Sequence, residues 1–184
     1  MNSKERMMKA LKREVPDRVP ATIHQWQPYH LKYYMKGVSD IEAFREVGLD
    51  AAITIYAPTL VQSPEWKITY VEGMENGNNV IDYTIETPGG NLTYQVGYNE
   101  VTSWVTKPMV KQDDDIYLIK KYRPIPKLDK EMVQRRYDEV GDDGIIRTFV
   151  FGEQGGCWQD ACVLHGTEQL IMATYDKPDW VHEF

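Results

Sequence analysis

Hydrophobic positions change rhythm along this chain, and each change predicts a different kind of element. In residues 2–11, Met7, Met8 and Leu11 give one apolar side to a short basic helix. Asn2, with Glu5 three residues on, forms its capping box. Pro16 is expected to stop this helix, and Pro20 to open an extended run, Ala21-Thr-Ile-His-Gln-Trp26, with a first strand at 20–25. Residues 28–35 then read as a helix closed by Gly37. Ser39 and Glu42 form a second capping box, followed by Ile41, Phe44 and Val47 at helical spacing and a stop at Gly48. The unbroken run Ala51-Ala-Ile-Thr-Ile-Tyr56 is a strand of the buried, parallel type.

From residue 66 the period shortens to two. Residues 66–72, 79–86, 91–98 and 101–106 alternate, carry many β-branched and aromatic residues, and are separated by Glu-Asn-Gly-Asn and Pro-Gly-Gly turns. They predict an antiparallel β-meander over 66–108, inserted after the second strand. Helical rhythm then returns at 113–122 and 129–140, a third buried strand follows at 144–151, and Gly152-Glu-Gln-Gly-Gly156 makes a loop. Helices close the chain at 157–164, at 167–175, and from a cap at Asp176 onward. The expectation is α/β: the N-terminal half of a partial TIM (β/α)8 barrel, residues 1–184 being one portion of a single barrel domain. Three barrel strands out of eight imply a longer whole.

Composition narrows the function classes. A net charge of -7 with no basic block argues against nucleic acid. Apolar runs are too short to span a membrane, and the charged N-terminus lacks an export signal. Two cysteines suggest free thiols in the cytoplasm.

Several motifs, taken in order, resemble the uroporphyrinogen-decarboxylase-like superfamily. The likeness begins with Lys4, Glu5, Arg6, Ala10 and Leu11, then Pro16-Asp-Arg-Val-Pro20. It continues through Thr87-Pro-Gly-Gly-Asn-Leu92, Lys107-Pro-Met-Val-Lys111 before Asp113-Asp114, and the Gly-rich stretch after Phe151. The resemblance implies a TIM barrel. True decarboxylases of the family carry an arginine loop after strand one and an aspartate after strand two. Here those stretches are His24-Gln-Trp-Gln-Pro28 and Tyr56-Ala-Pro-Thr-Leu60, which disfavours a porphyrinogen substrate. The other branch is the cobamide-dependent methyltransferases. That branch implies a zinc ion held in the second half of the barrel, a corrinoid protein as partner, and a small-molecule methyl donor or acceptor. The alternatives are a divergent decarboxylase-like protein and a non-catalytic corrinoid- or ligand-binding module.

Barrels of this kind gather chemistry at the C-terminal ends of their strands. That rule selects His24 and Glu153 as catalytic candidates, and Trp26, Tyr56, Gln154 and Trp158 as substrate-binding ones. His24 can act as a proton donor or acceptor, or simply fill the barrel mouth. Glu153 can accept a proton or stand as a solvated loop carboxylate. Trp26 and Trp158 can stack on a flat ligand or pack against the next helix. Cys157, Cys162 and His165 lack the spacing of a zinc site, so no metal is assigned within this chain. Bare strand edges in an open half barrel predict association, with a homo-oligomer as one outcome.

Overall fold

The computed structural model of the protein describes residues 1–56, 60–148 and 156–184. Its first half contains α1 (Ser3–Leu11), α2 (Pro28–Tyr34), α3 (Asp40–Val47), β1 (Ala51–Ile55), β2 (Lys67–Glu75), β3 (Asn78–Thr87) and β4 (Gly90–Tyr98). There follow β5 (Ser103–Lys107), α4 (Asp115–Tyr122), α5 (Lys130–Val140), β6 (Gly144–Thr148), α6 (Gly156–His165), α7 (Thr167–Asp176) and α8 (Pro178–Glu183). The chain divides into two compact units, one from Met1–Ala57 with Lys127–Phe149, the other from Pro58–Pro126 with Val150–Phe184. No helix among the described residues is long and apolar enough to cross a membrane.

The first unit is α/β. Its two strands, β1 and β6, run parallel, with Ala51 opposite Gly144 and Ile55 opposite Thr148. They approach so closely that a Cβ on Gly144 would stand 1.8 Å from the Ala51 carbonyl oxygen, so no other residue fits there without moving a strand. Both capping boxes form as expected. The Asn2 Oδ1 accepts from the Glu5 N–H at 2.8 Å, and the Ser39 Oγ accepts from the Glu42 N–H at 3.2 Å. Gly48, at φ 69°, closes α3 in the left-handed region. Ile41 and Phe44 of α3, Ala51 and Ile53 of β1 and Val140 of α5 make the core, with Trp26 and Ile146 packed against it.

Two expectations fail in this unit. Helix α1 ends at Leu11, well before Pro16, because Arg13 turns into the left-handed region at φ 61°. Residues 20–25 form no strand. Their backbone groups are claimed by side chains: the Ala21 N–H donates to Asp50 Oδ2 at 2.9 Å, and the His24 carbonyl accepts from the Arg147 guanidinium. Pro20 has no N–H to offer a ladder. One backbone bond, from Asp50 N–H to the Ala21 carbonyl at 2.8 Å, ties the segment to the approach of β1. The parallel arrangement among the described residues is therefore a two-strand sheet, and no closed barrel is seen.

The second unit holds the meander, in the order β2-β3-β4-β5, antiparallel throughout. Alternation sends Ile85 and Leu92 inward to meet Trp66, Val110, Ile116 and Leu164. Tyr83 and Tyr94 lie opposite each other and stack, with centroids 4.5 Å apart. The Asp115 carboxylate closes the turn into α4, accepting from the N–H groups of Lys111 and Gln112 at 2.8 and 3.0 Å. The last helix starts one residue later than expected: Lys177, not Asp176, is its N-cap, and no side chain caps it.

Candidate functional site

The first unit places different chemistry at the two ends of its parallel strands. At the N-terminal end, Asp50 lies wholly buried immediately before β1. It accepts from Arg6 Nη1 at 2.6 Å, Arg18 Nη1 at 2.9 Å and the Ala21 N–H at 2.9 Å. Arg6 also binds Asp17 through Nε at 2.7 Å and Nη2 at 3.0 Å. Each carboxylate in the cluster meets at least one arginine and a backbone N–H, which is what a buried ion group requires. Burial pushes the Asp50 carboxyl up, but its bonds from Ser3, Ala21, Arg6 and Arg18 outweigh that and leave it below the ordinary range. The Arg6 guanidinium holds Asp17 down at about 2. The Pro-Asp-Arg turn and Arg6 thus serve as a strut beneath β1, and none of these residues lines the cavity along Ala52–Thr54.

The opposite end carries a cavity of about 300 Å3. It is lined by Gln25, Trp26 and Pro28, by Asp40 and Phe44 of α3, by Ala52, Ile53 and Thr54 of β1, and by Tyr56. Successive N–H groups of a strand point to opposite sides. The Asp50 N–H faces Ala21 and the Ala51 N–H faces Asp143, so the two edges of β1 face the 20–25 segment and β6.

Two sequence-selected residues, Trp26 and Tyr56, line it, and a third, His24, is connected to it through Arg147 and Thr54. Trp26 sets its ring edge-on to Phe44, centroids 5.7 Å apart at 72°. Its indole Nε1 is buried and has no hydrogen-bond partner among the described residues. Tyr56 lies just past β1 and its hydroxyl donates to Gln25 Oε1. His24 is joined to β6 through Arg147, whose Nη2 lies 3.1 Å from His24 Nδ1. Arginine can only donate, so Nδ1 is the acceptor in this contact. Arg147 Nε also donates to Thr54 Oγ1 at 3.0 Å, and Thr54 is one of the lining residues.

Trp158 lies on α6 in the second unit and is 45% exposed. Glu153 and Gln154 fall outside the described residues. Cys157 is exposed, and His165 donates from Nδ1 to the Val110 carbonyl at 3.1 Å. No group of three His, Cys, Asp or Glu among the described residues could hold a metal.

Sequence reasoning missed Arg147 and the pair Asp40–Arg136. Arg147 is the single charge in the apolar strand Gly144-Ile-Ile-Arg-Thr148, which was the signal available. Arg136 Nη2 grips Asp40 at 3.0 and 2.7 Å, so the cavity's one lining carboxylate is neutralised from α5. Burial pulls the Arg136 guanidinium down, but its bonds to Asp40 and Glu139 outweigh that and raise it overall.

No protein-family model matches the chain, and no curated protein or solved structure is significantly similar to it.

Proposed function

We propose that this chain supplies the leading βα units of a uroporphyrinogen-decarboxylase-like barrel of the cobamide-linked methyltransferase branch, and that its part is to bind and orient a small-molecule substrate. The observation that carries this reading is the meeting of Trp26 and Tyr56 around one cavity along β1, with His24 tied through Arg147 to Thr54 of its lining. Open and closed parallel sheets alike place ligands outside the carboxyl ends of their strands. The lining is apolar and aromatic with a few polar groups, the usual make-up of a small-molecule site. Trp26 and Tyr56 hold the body of the substrate. His24, held by Arg147, is the side chain assigned to proton transfer with the substrate.

The described residues do not fit a zinc ion, so no step is assigned to that metal in this chain. The partner in this reading is a corrinoid protein. The thiols of Cys157 and Cys162 are free, which suits a reducing cytoplasm. One observation favours a second reading, a binding module without turnover. The polar groups around the cavity largely engage one another, Tyr56 with Gln25, Arg147 with Thr54, and Arg136 with Asp40.

The test is methyl transfer by the natural full-length protein from an aryl methyl ether to cob(I)alamin. The ether oxygen gains a proton and leaves as a phenol, and the methyl group appears on cobalt. The expected result is the methylcobalamin absorbance, reduced at least tenfold by His24→Ala. No methylcobalamin with any ether, thiol, methanol or methylamine system would leave the binding-module reading in its place.

A further inference from the structure

The ligand chemistry of the cavity can be read more closely; this step rests on the small-molecule reading of that cavity, but not on methyl transfer. Two donors stand at the site with capacity to spare. The Trp26 indole N–H is buried beside the cavity and has no acceptor among the described residues. A buried, unmatched donor is costly, and native folds keep one chiefly where something else completes it. Arg147 spends Nε on Thr54 and Nη2 on His24, while Nη1 makes no hydrogen bond among the described residues. Thr54 is a lining residue, and Arg147, not itself in the lining, is one hydrogen bond behind it. The lining carboxylate, Asp40, is held by Arg136 in a bidentate pair and does not oppose an incoming anion at full strength. The apolar and aromatic walls include Trp26, Pro28, Phe44, Ile53 and Tyr56.

We propose that this cavity binds a small monocarboxylate with a flat apolar body, the carboxylate meeting Arg147 and the Trp26 indole N–H and the body lying against Trp26 and Phe44. A volume of about 300 Å3 admits a single substituted ring and excludes a tetrapyrrole. The missing acceptor for Trp26 and the cation at Thr54 call for the same group on the ligand. An arginine thus does serve this mouth, arriving from β6 and not from the loop at residues 24–28.

Calorimetric titration of the whole chain with benzoate, benzamide and toluene tests this. Benzoate is expected to bind at least tenfold more tightly than benzamide, its uncharged near-isostere, and toluene more weakly still. Arg147→Gln and Trp26→Phe are each expected to weaken benzoate about tenfold or more, the second while keeping an aromatic ring in place. Equal binding of benzoate and benzamide to the unaltered protein overturns the proposal, as does benzoate binding that survives Arg147→Gln unchanged. The unaltered protein suffices to decide even if a variant fails to fold. Benzoate preference without methyl transfer sinks the methyltransferase reading alone. Methyl transfer without benzoate preference sinks this proposal alone.

Discussion

At the scale of single residues, Asp50 shows how position decides role. It is the wholly buried carboxylate before β1, matched by Arg6, Arg18 and the Ala21 N–H. Removing one member of a buried ion group strands the others, so Asp50→Ala is expected to cost roughly 3 kcal/mol or more in a chemical denaturation curve. Acid should act on the same cluster. Asp17 sits at about 2 against an ordinary 3.8, and Asp50 is lowered as well. A carboxyl lowered on folding stabilises the fold fully above its ordinary pKa and loses that contribution as pH falls through the folded value. Stability of the first unit should therefore be flat above about pH 5 and fall between about pH 4 and pH 2. In Asp17→Asn the fall should be shallower. Of these residues the sequence displays the motif and hides the purpose. Arg6, Asp17 and Arg18 stand in a recognisable pattern, but only the placement of Asp50 beneath β1 reveals that they serve stability. Arg147 is the converse case: one charge in an apolar strand, legible as odd, with a partner 123 residues away in His24.

At the scale of elements, caps and turns were the best-read features, because their physics is local. The Asn2/Glu5 and Ser39/Glu42 boxes, the stop at Gly48 and the four meander strands all follow from residues within a few positions of one another. Ser39→Ala should cost about 1 kcal/mol, read as a lower thermal midpoint. The strand expected at 20–25 failed because its outcome depends on long-range partners. Asp50 and Arg147 take its backbone groups, and neither contact leaves a trace in the local pattern. The β1–β6 pair depends on one small residue. Gly144→Ala would drive a Cβ into the Ala51 carbonyl, so it should destabilise by about 1–3 kcal/mol or more and weaken amide exchange protection along 51–55 and 144–148.

At the scale of the molecule, the chain is two compact units with separate cores, one α/β around a parallel pair and one built on an antiparallel meander. The alternation between periods was visible in the sequence. The division was not, since residues 127–149 return to the first unit after the whole meander has passed. Within the first unit the charged strut precedes β1 and the cavity lies along Ala52–Thr54 and Tyr56, where the proposed ligand is seated. The most direct test of that assignment is the indole region of a nitrogen–proton correlation spectrum recorded during a benzoate titration. Of the five tryptophans, Trp26, identified by its absence in Trp26→Phe, should show the largest indole N–H shift, with Thr54 and Arg147 amides moving beside it. A benzoate-induced shift centred on another tryptophan, or no shift at Trp26 at saturating benzoate, would contradict the account.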